Sequence, residues 1–137
     1  MSSLEAFLNP TYTEKTIKVV ISDRFVDEGG KPIPFILKAL PQETVEAIAK
    51  RSKVEETIDG RKVKVTDKYL HVNRCLVESV VFPDFKNKEL CERYGTIDPV
   101  DLPKKMLFAS EYERLVQEYL NLNGIDGDSP TGEISKK

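Results

Sequence analysis

Apolar positions recur along this chain at two spacings, and the points where one spacing gives way to the other mark out its elements. Leu4, Phe7 and Leu8 share one face of a short opening helix, which Asn9-Pro10 breaks. Residues 16–25, TIKVVISDRF, are rich in β-branched side chains and read as a strand. The DEGG that follows supplies a turn, because glycine takes a positive φ without steric cost. PIPFILKAL then reads as the second arm of an antiparallel hairpin. Pro32 and Pro34 have no amide proton to give to a ladder, which puts the start of that arm at a sheet edge or outside the sheet.

Pro41 opens a helix that runs to about Ser52, where its missing donor costs nothing. Leu40, Val45, Ile48 and Ala49 give this helix one apolar side. Asp59-Gly60 between the arms of VEETIDGRKVKV is a strong hairpin signal, and Glu55, Arg61, Lys62 and Lys64 suit a hairpin that projects from the body. From Asp67 to Phe82 the positions Tyr69, Leu70, Cys75, Leu76, Val77, Val80 and Val81 recur at helical spacing, and Pro83 ends the run. Asn87 caps a short helix carrying Leu90, Cys91 and Tyr94, with Gly95 as its left-handed terminus. Asp98-Pro99 starts a further turn, and Pro103 starts or interrupts the piece holding Met106, Leu107 and Phe108. Ser110 and Glu113 have the spacing of a capping box, and Tyr112, Leu115, Val116, Tyr119 and Leu120 form the buried stripe of a last helix that Gly124 closes. The order predicts an α+β fold, N-terminal β-hairpins with a predominantly helical C-terminal half, as one domain over residues 1–125. The polar, apolar-poor residues 126–137 are expected to be a disordered tail.

Composition narrows the function by exclusion. At 39% hydrophobic and 32% charged, the 137 residues suit one soluble domain rather than a disordered or membrane-spanning chain. A net charge of −2 provides no bulk field for nucleic acid. MSSLEAFLNP has neither a basic start nor a continuous apolar core, so no secretory signal is expected. Cys75 and Cys91 read as reduced thiols of a cytosolic protein, one disulfide between two helices being the alternative. The single histidine, His71, is too little for a metal site, and no phosphate-binding glycine motif occurs. His71 and Cys75 are four residues apart on one helical face, but nothing in the sequence supplies an orienting group or an oxyanion pocket. The reading is a non-enzymatic protein with no catalytic residues, metal or cofactor.

The order of several segments resembles the tail assembly chaperones of long-tailed phages and prophage-like elements of Gram-positive bacteria. They are the opening SLEAFLNP, the segment SDRFVDEGGKPIPFILKAL, the joint VVFPDFKNKELCERYG and the closing LPKKMLFASEYERLVQEYLNLNG. The resemblance spans about Leu4 to Ile125, and the hairpin around Asp59-Gly60 stays outside the correspondence. It implies a protein made in the cytoplasm of the bacterial host and absent from the mature virion. Its partners would be the tape-measure protein, the tail-tube protein, and in many members a longer frameshifted form of the same chain.

Such a chaperone needs apolar surface beyond its own core. Leu4, Phe7, Leu8, Phe82, Phe85, Tyr94, Tyr112 and Tyr119 are the candidates for a client or self-association surface, ordinary core packing being the alternative for each. A homo-oligomer is a further expectation, through the opening helix or a strand edge near Pro34. The competing reading is a structural tail tube or tail completion protein retained in the virion, against which the helical second half argues.

Overall fold

The computed structural model describes residues 3–125. Its elements are α1 (Ser3–Leu8), β1 (Thr16–Val19), β2 (Phe35–Lys38), α2 (Gln42–Arg51), β3 (Lys53–Ile58), β4 (Arg61–Thr66), α3 (Lys68–Ser79), β5 (Val80–Phe82), α4 (Lys88–Arg93), a 3-10 turn (Pro99–Asp101), α5 (Leu102–Met106) and α6 (Ala109–Leu122). Strands lead and helices follow, which is the α+β order the sequence predicts. The expected tail, residues 126–137, lies outside the described residues.

β2 is the middle of a three-stranded antiparallel sheet, with β1 on one side and β5 on the other. Side chains alternate across a strand, so Phe35 and Leu37 enter the core while Ile36 and Lys38 face the other way. Ile17 and Val19 lie opposite Leu37 and Phe35 in the register and join the same face. The helices cover that face. Ile48 of α2, Leu76 of α3, Leu102 of α5 and Leu115 of α6 are fully buried against it. Phe35 packs edge-on against Phe85 at 6.2 Å between ring centres and tilted against Phe25 at 6.4 Å.

The hairpin of β1 and β2 differs from expectation in its middle. Pairing stops at Val19, and residues 20–34 make an irregular excursion before β2 begins. DEGG turns within that excursion. Asp27 accepts from the amides of Gly29 and Lys31, and only the isolated bridge Val26–Pro32 closes beside it. Two causes are visible: Pro32 and Pro34 cannot donate, and Ser22 and Arg24 are drawn away to α6.

The long helix also ends earlier than predicted. α3 stops at Ser79, and Val80, which the periodicity assigns to the helix, begins β5. Valines and a residue that precedes proline both disfavour helix, and the open edge of β2 offers the freed backbone partners. Ser79 Oγ donates to the Lys38 carbonyl at 2.7 Å, which fixes the helix end to the sheet. Val81 then faces outward, and Tyr69 at the other end of α3 is 78% exposed, so neither belongs to the core.

Local chemistry sets most other ends. Asp67, Asn87 and Asp98 each accept from an amide two or three residues ahead, as N-caps do. Asp59 and Gly60 both have positive φ, the geometry of a tight two-residue hairpin turn. β3 and β4 pair along their whole length, but only Val54 and Val65 at the base are half-buried.

The cap of α6 is not the predicted Ser110–Glu113 box. The helix starts earlier, with Phe108 at its N-cap and Glu111 accepting the Phe108 amide at 2.8 Å. Glu111 is held there by more than the cap. Arg24 grips it through Nε, at 3.0 Å, and Nη2; Ser22 Oγ donates to it as well. Arg24 also reaches the Met106 carbonyl and lies over the Phe108 ring, 4.0 Å from its centre. The Arg24 hydrogen bonds hold the Glu111 carboxyl down to about 2, with Ser22 and the Phe108 amide adding to them and burial opposing.

Glu111→Gln is therefore expected to lower stability by about 2 kcal/mol, since bonds to a largely buried charged group are lost. Because the folded carboxyl sits below its ordinary value of about 4.3, its contribution is full near neutral pH. It fades as pH falls through about 4 toward 2. Urea unfolding of both proteins across that range measures it: the two curves should converge in acid.

Candidate binding surface

α6 carries Leu115, Tyr119 and Leu122 into the core, while Tyr112 and Val116 sit at the margin of the same stripe, half-buried. α3 does the same with Leu76 and Cys75 inside and Tyr69 outside. Between these margins lies an open groove of about 920 Å3 walled by Tyr69, Asn73, Leu107, Tyr112 and Val116. Tyr112 donates to Asn73 Oδ1 at 2.6 Å, so this phenol of the wall is tied across the two helices. Burial and the neighbouring Tyr69 raise its pKa. Lys104 and Glu113 add one charge of each sign to the lining.

The residues singled out in the sequence fall into four groups. Leu4, Phe7 and Leu8 are exposed on α1, which buries none of its residues, and Phe7 is 83% exposed. Phe82 is half exposed and lies opposite Ile36 in the register, on the strand whose other face enters the core. Tyr94 and Tyr112 are half-buried; Arg93 lies over the Tyr94 ring at 5.4 Å.

Phe85 and Tyr119 are corrections. Phe85 has no exposed surface, because the Pro83-Asp84 turn directs it at Phe35. Tyr119 is buried on the inner face of α6 with Cys75 as its hydrogen-bond partner, and burial pushes its pKa up. Neither can meet a partner.

Other exposed apolar side chains were not singled out by the sequence pattern: Tyr12, Ile97 and Phe108 among them. Ile97 is fully exposed within a polar turn between Gly95 and Asp98. A lone apolar residue between turn formers was the available signal.

The histidine–cysteine pair has no catalytic geometry. Cys75 is buried, its thiol is pushed up by that burial, and it bonds to Tyr119. A raised thiol is a poor nucleophile, since the thiolate is the reactive form. His71 is pushed down by burial, and its Nε2 is closed off without a partner. Cys91 is likewise a buried free thiol and donates to the Phe85 carbonyl at 3.3 Å. Among the described residues no group of histidine, cysteine or carboxylate side chains could hold a metal ion, and no helix is long and apolar enough to cross a membrane.

The profile of the family described as "Phage XkdN-like tail assembly chaperone protein, TAC" matches residues 4–134. The chain belongs to this family. It is similar to the "Phage-like element PBSX protein XkdN" of Bacillus subtilis (strain 168), 38% identical over 120 residues that cover 86% of this chain and 81% of the relative. Its similarity to YqbN of the same organism is also 38% over 120 residues, covering 86% of this chain and 80% of the relative. The crystal structure of YqbN aligns with a TM-score of 0.76 at 33% identity, over 92% of this chain and 99% of that one. The α+β fold is therefore shared with a solved structure. The family is one of phage tail assembly chaperones rather than a known class of enzymes, and membership implies interaction with tail proteins.

The two phenylalanines of the joint separate core from surface in this chaperone. Phe85→Ala is expected to cost about 3–5 kcal/mol through the cavity it leaves. Phe82→Ala, on a half-exposed position, should cost about 1 kcal/mol or less. Paired chemical denaturation curves check both.

Proposed function

We propose that this chaperone binds the tape-measure protein in the cytoplasm of the bacterial host and assists the assembly of tail-tube subunits around it. It acts without catalysis and leaves before the virion is mature. The observation that carries this reading is the exposed apolar surface, above all α1, where Leu4, Phe7 and Leu8 are all left uncovered. Burying an exposed leucine or phenylalanine against a partner is favourable by about 1.5–3 kcal/mol, so three such residues on one short helix form a plausible grip. Phe82 and the groove beside Tyr112 extend the surface available to a helical client, whose apolar face would supply the complementary side chains.

The tail-tube protein and a longer frameshifted form of the chain are further partners under this reading, and self-association through α1 is compatible with it. The three-stranded sheet has strands of only three or four residues, and the longer β3 and β4 pair only with each other, which does not suit a subunit whose strands must build a continuous tube.

The test is co-expression of the tape-measure protein with the full chain or with variants that place a charge on the surface, Phe7→Asp and Phe82→Asp. The wild-type chain should keep the tape-measure protein soluble and co-purify with it. The variants should fold, with thermal midpoints within a few degrees of wild type, and recover several-fold less client. Client that stays insoluble beside the wild-type chain would refute the reading, and so would finding the chain in many copies in purified particles by mass spectrometry.

A further inference from the structure

Arg51 at the end of α2 and Arg74 on α3 converge on an open cup of about 190 Å3. Lys86, Glu78 and Asp98 share its wall with Val77, Pro99 and Val100. Two of the charged groups are already engaged with each other: Lys86 pairs with Glu78 at 2.9 Å. Asp98 accepts the Val100 amide at 3.1 Å. The guanidiniums are not engaged. Among the described residues neither Arg51 nor Arg74 makes a side-chain hydrogen bond or an ion pair, and Arg74 Nε is closed off from solvent with no acceptor. Arg24, by contrast, has its carboxylate in Glu111.

A half-buried guanidinium with an unbonded Nε is an incomplete arrangement, because every such donor loses its water and gains nothing in return. The complement of a guanidinium is planar and carries two oxygens: a carboxylate takes parallel bonds from two of its N–H groups, and its charge offsets the cation whose inner donor is left unpaired. The balance of charge selects the same ligand. Three cations face two carboxylates in the lining, which leaves a single positive charge to be neutralised. A phosphate dianion would bring a second negative charge against Glu78 and Asp98. Val77, Pro99 and Val100 offer apolar contact to the methylene stem that an aspartate or glutamate side chain carries and an inorganic anion lacks.

We infer that this cup is a binding site for one carboxylate, presented by an acidic side chain of a partner polypeptide or by a free carboxylic acid, with Arg51 and Arg74 as the two gripping residues. The site lies apart from the apolar surface assigned to the client: its lining shares no residue with the groove beside Tyr112 or with α1. It stands whether or not the tape-measure protein is the client.

The experiment follows the arginine Nε–Hε resonances of the 15N-labelled full chain. The titrants are a short blocked peptide containing glutamate, acetate, inorganic phosphate, and sodium chloride at matched ionic strength. Saturable shifts of the Arg51 and Arg74 resonances with the peptide, exceeding those with chloride, are the expected result. Shifts with the peptide much larger than with acetate assign the ligand to a polypeptide; equal ones assign it to a free carboxylate. Arg51→Gln, at an exposed position that should leave the fold intact, is expected to weaken the peptide response by about tenfold. Arg74→Gln should abolish it, its folding being checked by thermal unfolding. The inference is overturned by unsaturable shifts indistinguishable from those with chloride, by binding of phosphate in preference to either carboxylate, or by an unchanged response in Arg51→Gln. None of these outcomes depends on whether the chain solubilises the tape-measure protein.

Discussion

The interaction that orders this molecule is the covering of one face of a small sheet. β1, β2 and β5 are too short to be stable alone, and only β2 has both edges paired. Phe35 and Leu37 project from it into the space where α2, α3, α5 and α6 meet, and Phe85 closes that space from the joint between β5 and α4. The helices therefore have one common surface to pack against. Two of the polar ties between distant parts of the chain serve that packing directly. Ser79 bonds α3 to β2, while Arg24 bonds the excursion after β1 to the start of α6.

Once the core is closed on that face, what remains apolar lies outside it. α1 has no burial and Phe82 stands on the outward side of β5, while the groove between α3 and α6 is the seam where two amphipathic helices diverge. Phe7 and Leu8 contribute nothing to the core, so folding alone places no demand for apolar side chains there. Their exposure is what the proposed grip on a partner rests on, since contiguous exposed apolar surface marks interaction sites.

Much of this was legible in the sequence because it depends on local chemistry. The Asp59-Gly60 turn, the Asn87 cap and the terminators Gly95 and Gly124 each follow from the conformations available to one or two residues. What was hidden depends on partners far along the chain. Val80 and Val81 fit a helical period, and only the vacant edge of β2 makes them a strand. Glu111 became the cap in place of Glu113 because Arg24 holds it, a pairing across 87 residues that no local pattern contains. The candidate surface divides along the same line. Phe7 has no core to enter, whereas Phe85 and Tyr119 look identical to surface aromatics until the positions of Phe35 and Cys75 are known. The carboxylate cup is likewise a product of assembly, formed from the end of α2, the middle of α3 and two turns.

The hairpin of β3 and β4 follows a different logic from the rest of the chain. Its base is closed where the Asp67 amide meets the Ser52 carbonyl at 2.8 Å, and outward of Val54 and Val65 its residues are exposed. Beyond that clasp the core places almost no demand on its sequence or length, so substitutions and insertions there leave the packing around Phe35 and Leu115 untouched. In this chain the hairpin can lengthen, shorten or change its charge while the sheet and the helices that cover it stay as they are.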